Sequence, residues 1–343
     1  MKIFNFFLLI LLVACASVPS SNIDKVIITE RSIILNGEPY FIKGICYHPV
    51  PVGEIKRNFE NIDQDLELMI EAGINTIRFY EPVDNIEILN KISNSGIKVI
   101  IGFGYNQNGI YDIKSGTFID YIQKYKSHKS ILIWELGNEY NYHPEWFENN
   151  IQNWYKSLKG ATDLIHKFDK NHPVSTAHGD LPTKEILEYN SNLDLWGLNV
   201  YRWDNPAPVF DKWAEMSTKP VYLSEAGADS FMKISKNGFV RGKNQNAQAQ
   251  ANGNIIDGVF SKKDISSGVF IFSFTDGLWK AGNPSIQDIG GSAPNSTGVP
   301  YDGSCDEEFW GIVDINRNKK TTFDVIRERF TSFNQTYNNI KNE

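Results

Sequence analysis

Short apolar runs alternate with segments in which apolar positions recur every three or four residues, and this alternation starts near residue 40. The runs at 41–47, 75–80, 98–103, 131–136, 173–177, 195–200, 220–224 and 268–274 read as strands. Between and after them, 62–72, 83–95, 117–127, 146–168, 183–189, 208–216, 247–260 and 323–330 read as helices. In the fourth of these, Ile151, Trp154, Tyr155, Leu158, Ala161, Ile165 and Phe168 form one apolar stripe. Gly73 and Gly96 close the first two helices. Strands apolar on consecutive residues, such as Val99-Ile100-Ile101, are expected to be buried on both faces, as in a parallel sheet under helices. Eight such repeats fit an α/β fold, a single (β/α)8 TIM barrel, which typically takes about 250 residues. An open doubly wound sheet would want a phosphate-binding turn after the first strand, and the sequence has none. Ahead of the barrel, 26–29 and 32–35 read as strands and Asn36-Gly37 as a tight turn, a short β-hairpin placed to cap the barrel's bottom.

Composition narrows the class. The 343 residues are 41% hydrophobic and 13% aromatic, enough for a substantial core. A net charge of −7 without any basic run argues against nucleic acid as a partner. No HExxH, CxxC or glycine-rich phosphate loop occurs, so neither a metal nor another cofactor is expected. No obligate protein partner is evident. Residues 1–12 carry one lysine and then an apolar run too short to span a bilayer comfortably. The following Leu12-Val13-Ala14-Cys15 resembles a bacterial lipobox, which implies lipidation of Cys15. The expected organisation is a lipoprotein signal peptide (1–14), a tether (15–24), a catalytic barrel (25–335) and a polar tail (336–343). The expected location is the cell envelope, as an exported bacterial lipoprotein held to the membrane at Cys15. Two further cysteines, Cys46 and Cys305, could pair in an oxidising compartment.

Two carboxylates carry the candidate chemistry. Glu139 follows the strand at 131–136, and Glu225 follows the strand at 220–224. In a TIM barrel both face the C-terminal end, where active sites are built. Cleavage of a glycosidic bond needs such a pair: one acid to protonate the leaving oxygen, one carboxylate facing the sugar carbon. Other polar and aromatic residues fall at equivalent positions: His48, Arg78, Tyr80, His178, Tyr201, Trp203, Asp276 and Trp279. The long Gly/Ser/Pro/Asn-rich segment after the eighth strand, including 290–298, should wall one side of the cleft.

These residues resemble clan A of the retaining glycoside hydrolases, in which an Asn-Glu acid/base follows strand four and a Glu nucleophile follows strand seven. Asn138-Glu139, Glu225 and Trp279 match that pattern. FIKGICYHP (41–49), AGINTIRFYEP (72–82), GNEYN (137–141), LNVYRW (198–203) and PVYLSEAG (220–227) resemble the fungal β-1,3-glucanosyltransferases. FWGIVDINRNKKTTFDVI (309–326) is similar to the end of the barrel domain of the β-galactosidase/β-glucuronidase family. The chain departs from the fungal enzymes in having few cysteines, and from many clan cellulases in having Gly104-Tyr105-Asn106 after strand three in place of a histidine. The resemblance implies Glu225 as nucleophile, steadied by Arg78 and Tyr201. Glu139 would be acid and then base, its pKa raised by burial and by Glu225. Asn138 would contact the sugar 2-hydroxyl, and Tyr80, Trp203 and Trp279 would bind substrate. The expected separation of the two carboxyl groups is that of a retaining enzyme, ~5–5.5 Å. The expected function is hydrolysis of a β-linked oligo- or polysaccharide, a neutral β-glucan first, through a covalent glycosyl-enzyme. Transglycosylation of β-glucan and non-catalytic carbohydrate binding by a lipoprotein stay open as alternatives.

Overall fold

A computed structural model describes residues 23–106, 110–202, 205–289, 302 and 305–341, with side chains to 333. Cys15, Trp203 and residues 290–298 lie outside the described residues, as does nearly all of the expected signal peptide and tether. Three short strands come first: β1 (Val26–Ile28), β2 (Ile33–Leu35) and β3 (Glu38–Tyr40). They form an antiparallel sheet in the order β1-β2-β3. The expected hairpin thus gains a strand. Asn36-Gly37, both at positive φ, turns the chain from β2 into β3, and Pro39 is tolerated because β3 is an edge.

The barrel strands are β4 (Ile42–Cys46), β5 (Thr76–Phe79), β6 (Lys98–Phe103), β7 (Ile131–Asn138), β8 (Val174–Gly179), β9 (Trp196–Asn199), β10 (Val221–Ala226) and, after the small pair β11 (Phe231–Met232) and β12 (Gly242–Lys243), β13 (Ser266–Ile271). All eight pair in parallel, and β13 closes on β4. The helices α1 (Ile62–Glu71), α2 (Ile86–Asn94), α3 (Phe118–Tyr125), α4 (Ile151–Phe168), α5 (Lys184–Tyr189), α6 (Ala207–Met216), α7 (Gln245–Phe260) and α8 (Thr321–Lys341) surround it. Helix α4 begins with its apolar stripe at Ile151, later than the expected start at 146. Glu148 and Asn149 take positive φ, and the Asn150 side chain caps the helix by accepting from the Gln152 amide.

The core has two shells. The larger lies between strands and helices, with Trp134, Trp154, Trp196 and Trp213 among its buried side chains. The smaller fills the barrel with Ile42, Ile100, Leu132, Leu195 and Phe270, and it includes Val26 and Ile33 of the N-terminal sheet. That sheet therefore plugs the N-terminal end of the barrel. Gly44 is needed in the filling layer, because a Cβ there would lie 2.2 Å from the Phe270 ring. Among the described residues, no helix is long and apolar enough to cross a membrane.

Candidate active site

Both glutamates are set by a local break in strand pairing. β7 slips against β8 between Glu135 and Asn138, and β10 slips against β9 between Leu223 and Glu225. Such irregularities re-aim side chains at a barrel rim. On β7 the slip uses Gly137 at φ 72°, where a Cβ would meet the Trp154 ring at 2.7 Å. Glu139 follows in the left-handed region, φ 55° and ψ 22°. This uncommon conformation for a residue with a side chain turns its carboxyl into the cleft mouth.

The two carboxylates, Asn138, Tyr80, Tyr201 and Trp279 line one cleft of about 470 Å³. Beneath it, Arg78 is fully buried. Its Nη1 donates to Glu225 Oε1 at 2.8 Å, its Nη2 to Asn138 Oδ1 at 2.8 Å and its Nε to Glu135 Oε1 at 2.7 Å. Glu225 Oε1 also accepts from the Tyr80 hydroxyl at 2.8 Å, and Oε2 accepts from the Tyr201 hydroxyl at 2.7 Å. Burial, with Glu225 adding to it, holds both phenols well above their usual pKa, so they remain donors. Asn138 Oδ1 accepts a second bond from Asn199 Nδ2 at 3.1 Å. Only the amide oxygen can accept from a guanidinium, so the Asn138 NH2 is left for the cleft.

Glu139 has different surroundings. Burial first, and then the Glu225 carboxylate, push its pKa up to about 7, against a hydrogen bond from Asn199 and the charge of Arg78. A carboxylic acid that keeps its proton near neutrality thus shares the cleft with a second carboxyl gripped by three donors.

Sequence reasoning missed Glu135, Tyr222 and Asn199. Glu135 lies inside the apolar strand run and is buried between Arg78 and the Tyr222 hydroxyl, which donates to its Oε2 at 2.8 Å. A charged residue in the middle of a buried strand was the available signal. Asn199 bridges Asn138 and Ser224, accepting from the Ser224 hydroxyl at 2.7 Å.

Several expected residues serve elsewhere. Asp276 is buried against Lys320, 2.9 Å away, and accepts from the Gly311 amide. His178 is held by the Tyr155 hydroxyl and the Asp180 carbonyl. His48 does line the cleft, its ring 5.0 Å from that of Trp279, and burial lowers its pKa to about 4. Trp279 reaches the cleft from a 3-10 turn beyond β13, while Phe272 is the aromatic at the strand's end. Cys46 and Cys305 are not joined in a disulfide. The Cys46 thiol donates to the Ser224 carbonyl, and Cys305 packs in a separate cluster with Ala228, Met232 and Trp310.

No family model matches the chain. Among curated proteins it is 24% identical to a beta-glucuronidase of Sus scrofa over 230 residues, 61% of this chain and 34% of the relative. It is 23% identical to the 1,3-beta-glucanosyltransferase gas2 of Schizosaccharomyces pombe over 261 residues, 62% of this chain and 55% of that protein. The chain thus spans about a third to about half of the length of these relatives. Among solved structures, a GH2 beta-galacturonidase from Eisenbergiella tayi bound to galacturonate superposes with a TM-score of 0.68 at 23% identity, covering 90% of this chain and 54% of that one. A Bacteroides uniformis beta-glucuronidase gives 0.67 at 17% identity, covering 90% and 37%. In fold and in matched sequence, the chain resembles the TIM-barrel glycoside hydrolases of the β-glucuronidase and 1,3-β-glucanosyltransferase types.

Proposed function

We propose that the chain is a retaining glycosidase that cleaves a β-linked oligo- or polysaccharide, β-glucan first, through a covalent glycosyl-enzyme. The observation that carries this reading is the opposed pair in one cleft: Glu139, protonated to about pH 7, facing Glu225. In the first step a Glu225 oxygen bonds to the anomeric carbon as the bond to the leaving oxygen breaks, and Glu139 gives that oxygen its proton. Oε2, with Tyr201 as its one donor among the described residues, is the better placed oxygen, since Oε1 is held by both Arg78 and Tyr80. Bonding to carbon removes the negative charge that helps hold the proton on Glu139. Its pKa then falls, and Glu139 can take a proton from the water that attacks the same carbon and frees Glu225. The Asn138 NH2 is free to donate to the sugar beside the reacting carbon, the 2-hydroxyl being the group whose hydrogen bonds strengthen in the transition state.

An acceptor sugar in place of water would make the same chemistry a transglycosylation. Tyr142, three residues past Glu139, lines the cleft with 40% of its surface exposed, and an aromatic ring there suits the apolar face of such an acceptor. The 1,3-beta-glucanosyltransferase relative favours the same alternative. NMR of the first-formed anomer, over a panel of β-linked aryl glycosides and oligosaccharides, tests both. A β-anomer as first product supports retention, an α-anomer overturns it, and lengthened oligosaccharides reveal transfer. We also propose lipidation at Cys15 and a place in the cell envelope. Labelled palmitate should enter the wild-type protein and not Cys15→Ala.

A further inference from the structure

We propose that Glu307 sets the charge selectivity of the cleft, pairing with Lys280 so that the site takes uncharged β-glycosides and rejects uronides. The inference rests on the glycosidase reading and names its substrate class. Among the described residues, the cations that line or underlie the cleft are Arg78, Arg202 and Lys280. Each already has a carboxylate partner. Arg78 is shared by Glu135 and Glu225, Arg202 is paired with Asp180, and Lys280 Nζ is 2.8 Å from Glu307 Oε2. The lining carboxylates are Glu139, Asp180, Glu225 and Glu307. Glu139 keeps its proton to about pH 7 and the other three are paired, so a sugar bearing its own carboxylate would find every described cation engaged and no unpaired positive charge to meet it. Rejection by cations already occupied is specificity through an unfavourable term.

The Lys280–Glu307 pair is the one placed to decide this. Arg202 and Asp180 are 45% and 32% exposed, so solvent and salt weaken their influence. Lys280 and Glu307 are each 18% exposed. The Lys280 ammonium lies 4.0 Å over the ring of Phe272, the aromatic at the end of β13, and that ring packs edge-on against Trp310. Glu307 is also one of the charges that raise the pKa of Glu139, which puts it in the electrostatic field of the reacting groups. Without Glu307, Lys280 becomes a desolvated cation at the cleft wall, a ready partner for a sugar carboxylate.

The test uses the full chain as wild type, Glu307→Gln, Lys280→Met and the double variant. Substrates are matched aryl β-glycosides differing only at C6: glucoside against glucuronide, and galactoside against galacturonide. Read as the uronide-to-neutral ratio of kcat/KM, the wild type should favour the neutral member by about tenfold or more. Glu307→Gln should move the ratio about tenfold toward the uronide, and adding Lys280→Met should remove that gain. Lys280→Met alone should move it the other way, which keeps the proposal open to refutation even if Glu307→Gln fails to fold. A wild type that prefers uronides overturns the proposal. So does a folded Glu307→Gln, or failing that a folded Lys280→Met, with an unchanged ratio. Calorimetric binding of neutral and uronic β-linked disaccharides reads the same selectivity without turnover. Binding that follows the expected ratios while no β-glycoside is cleaved would sink the glycosidase reading and leave the charge selectivity standing.

Discussion

Glu225 and Glu139 share a cleft and a side-chain type, and the barrel treats them in opposite ways. Glu225 stays in its strand, above a buried arginine and between two tyrosine hydroxyls, every one of which donates to it. Glu139 has left its strand through a left-handed turn and is held by burial and a neighbouring negative charge. Distance along the chain does not produce this difference. It comes from which residues stand at the ends of β5 and β9, since Arg78, Tyr80 and Tyr201 all point toward β10. Two identical carboxyls acquire different surroundings because the donors are distributed unevenly around one ring of strands.

The largest test of that asymmetry is removal of the better-held group. Glu225→Ala should lower turnover by about 10⁴-fold or more, and azide should restore it by giving an α-configured glycosyl azide. Rescue in Glu139→Ala with inversion, and none in Glu225→Ala, would exchange the two roles. A smaller effect is expected from Glu139→Gln. Its kcat/KM should fall by about 10²–10⁴-fold for sugar leaving groups and far less for a dinitrophenyl leaving group that needs no proton. The alkaline limb of the wild-type profile, expected near pH 7 from Glu139, should vanish in the same variant. A retained limb assigns that proton to another group.

The smallest effect is on stability. The folded protein holds the Glu139 proton up to about pH 7, whereas the unfolded chain releases it near 4.5. The stability tied to this proton is therefore fully present below about pH 4.5 and is lost as pH rises to about 7. Glutamine has no proton to lose, so the melting temperature of Glu139→Gln should gain on the wild type across that window and run parallel above it. A difference that is constant with pH would mean that Glu139 is not buried as its surroundings indicate.

The barrel was legible because burial on both faces writes itself into consecutive apolar residues, as at Val99-Ile100-Ile101, and into stripes such as that of α4. Both glutamates were legible because Glu225 continues such a run directly and Glu139 follows one across Gly137-Asn138. β3 was not, since Glu38-Pro39-Tyr40 has no alternation and exists only by pairing with β2. Nor was the fate of Asp276. It looks like any cleft carboxylate in sequence, yet it is claimed by Lys320, which lies beyond the long loop. Glu135 shows the same limit: a charge in a buried strand announces a partner, but only the closed barrel shows that the partner is Arg78.

The plugged end of the barrel has a mechanical consequence. Asp24 pairs with Lys98 at the start of β6, and its carbonyl accepts from Asn171 just ahead of β8. The chain therefore enters the molecule at the closed end, the pole opposite the cleft. Any attachment made through the N-terminal segment grips the barrel by its base and leaves the mouth facing outward. A polymer lying across that mouth would then stay clear of anything gripped through the N-terminal segment.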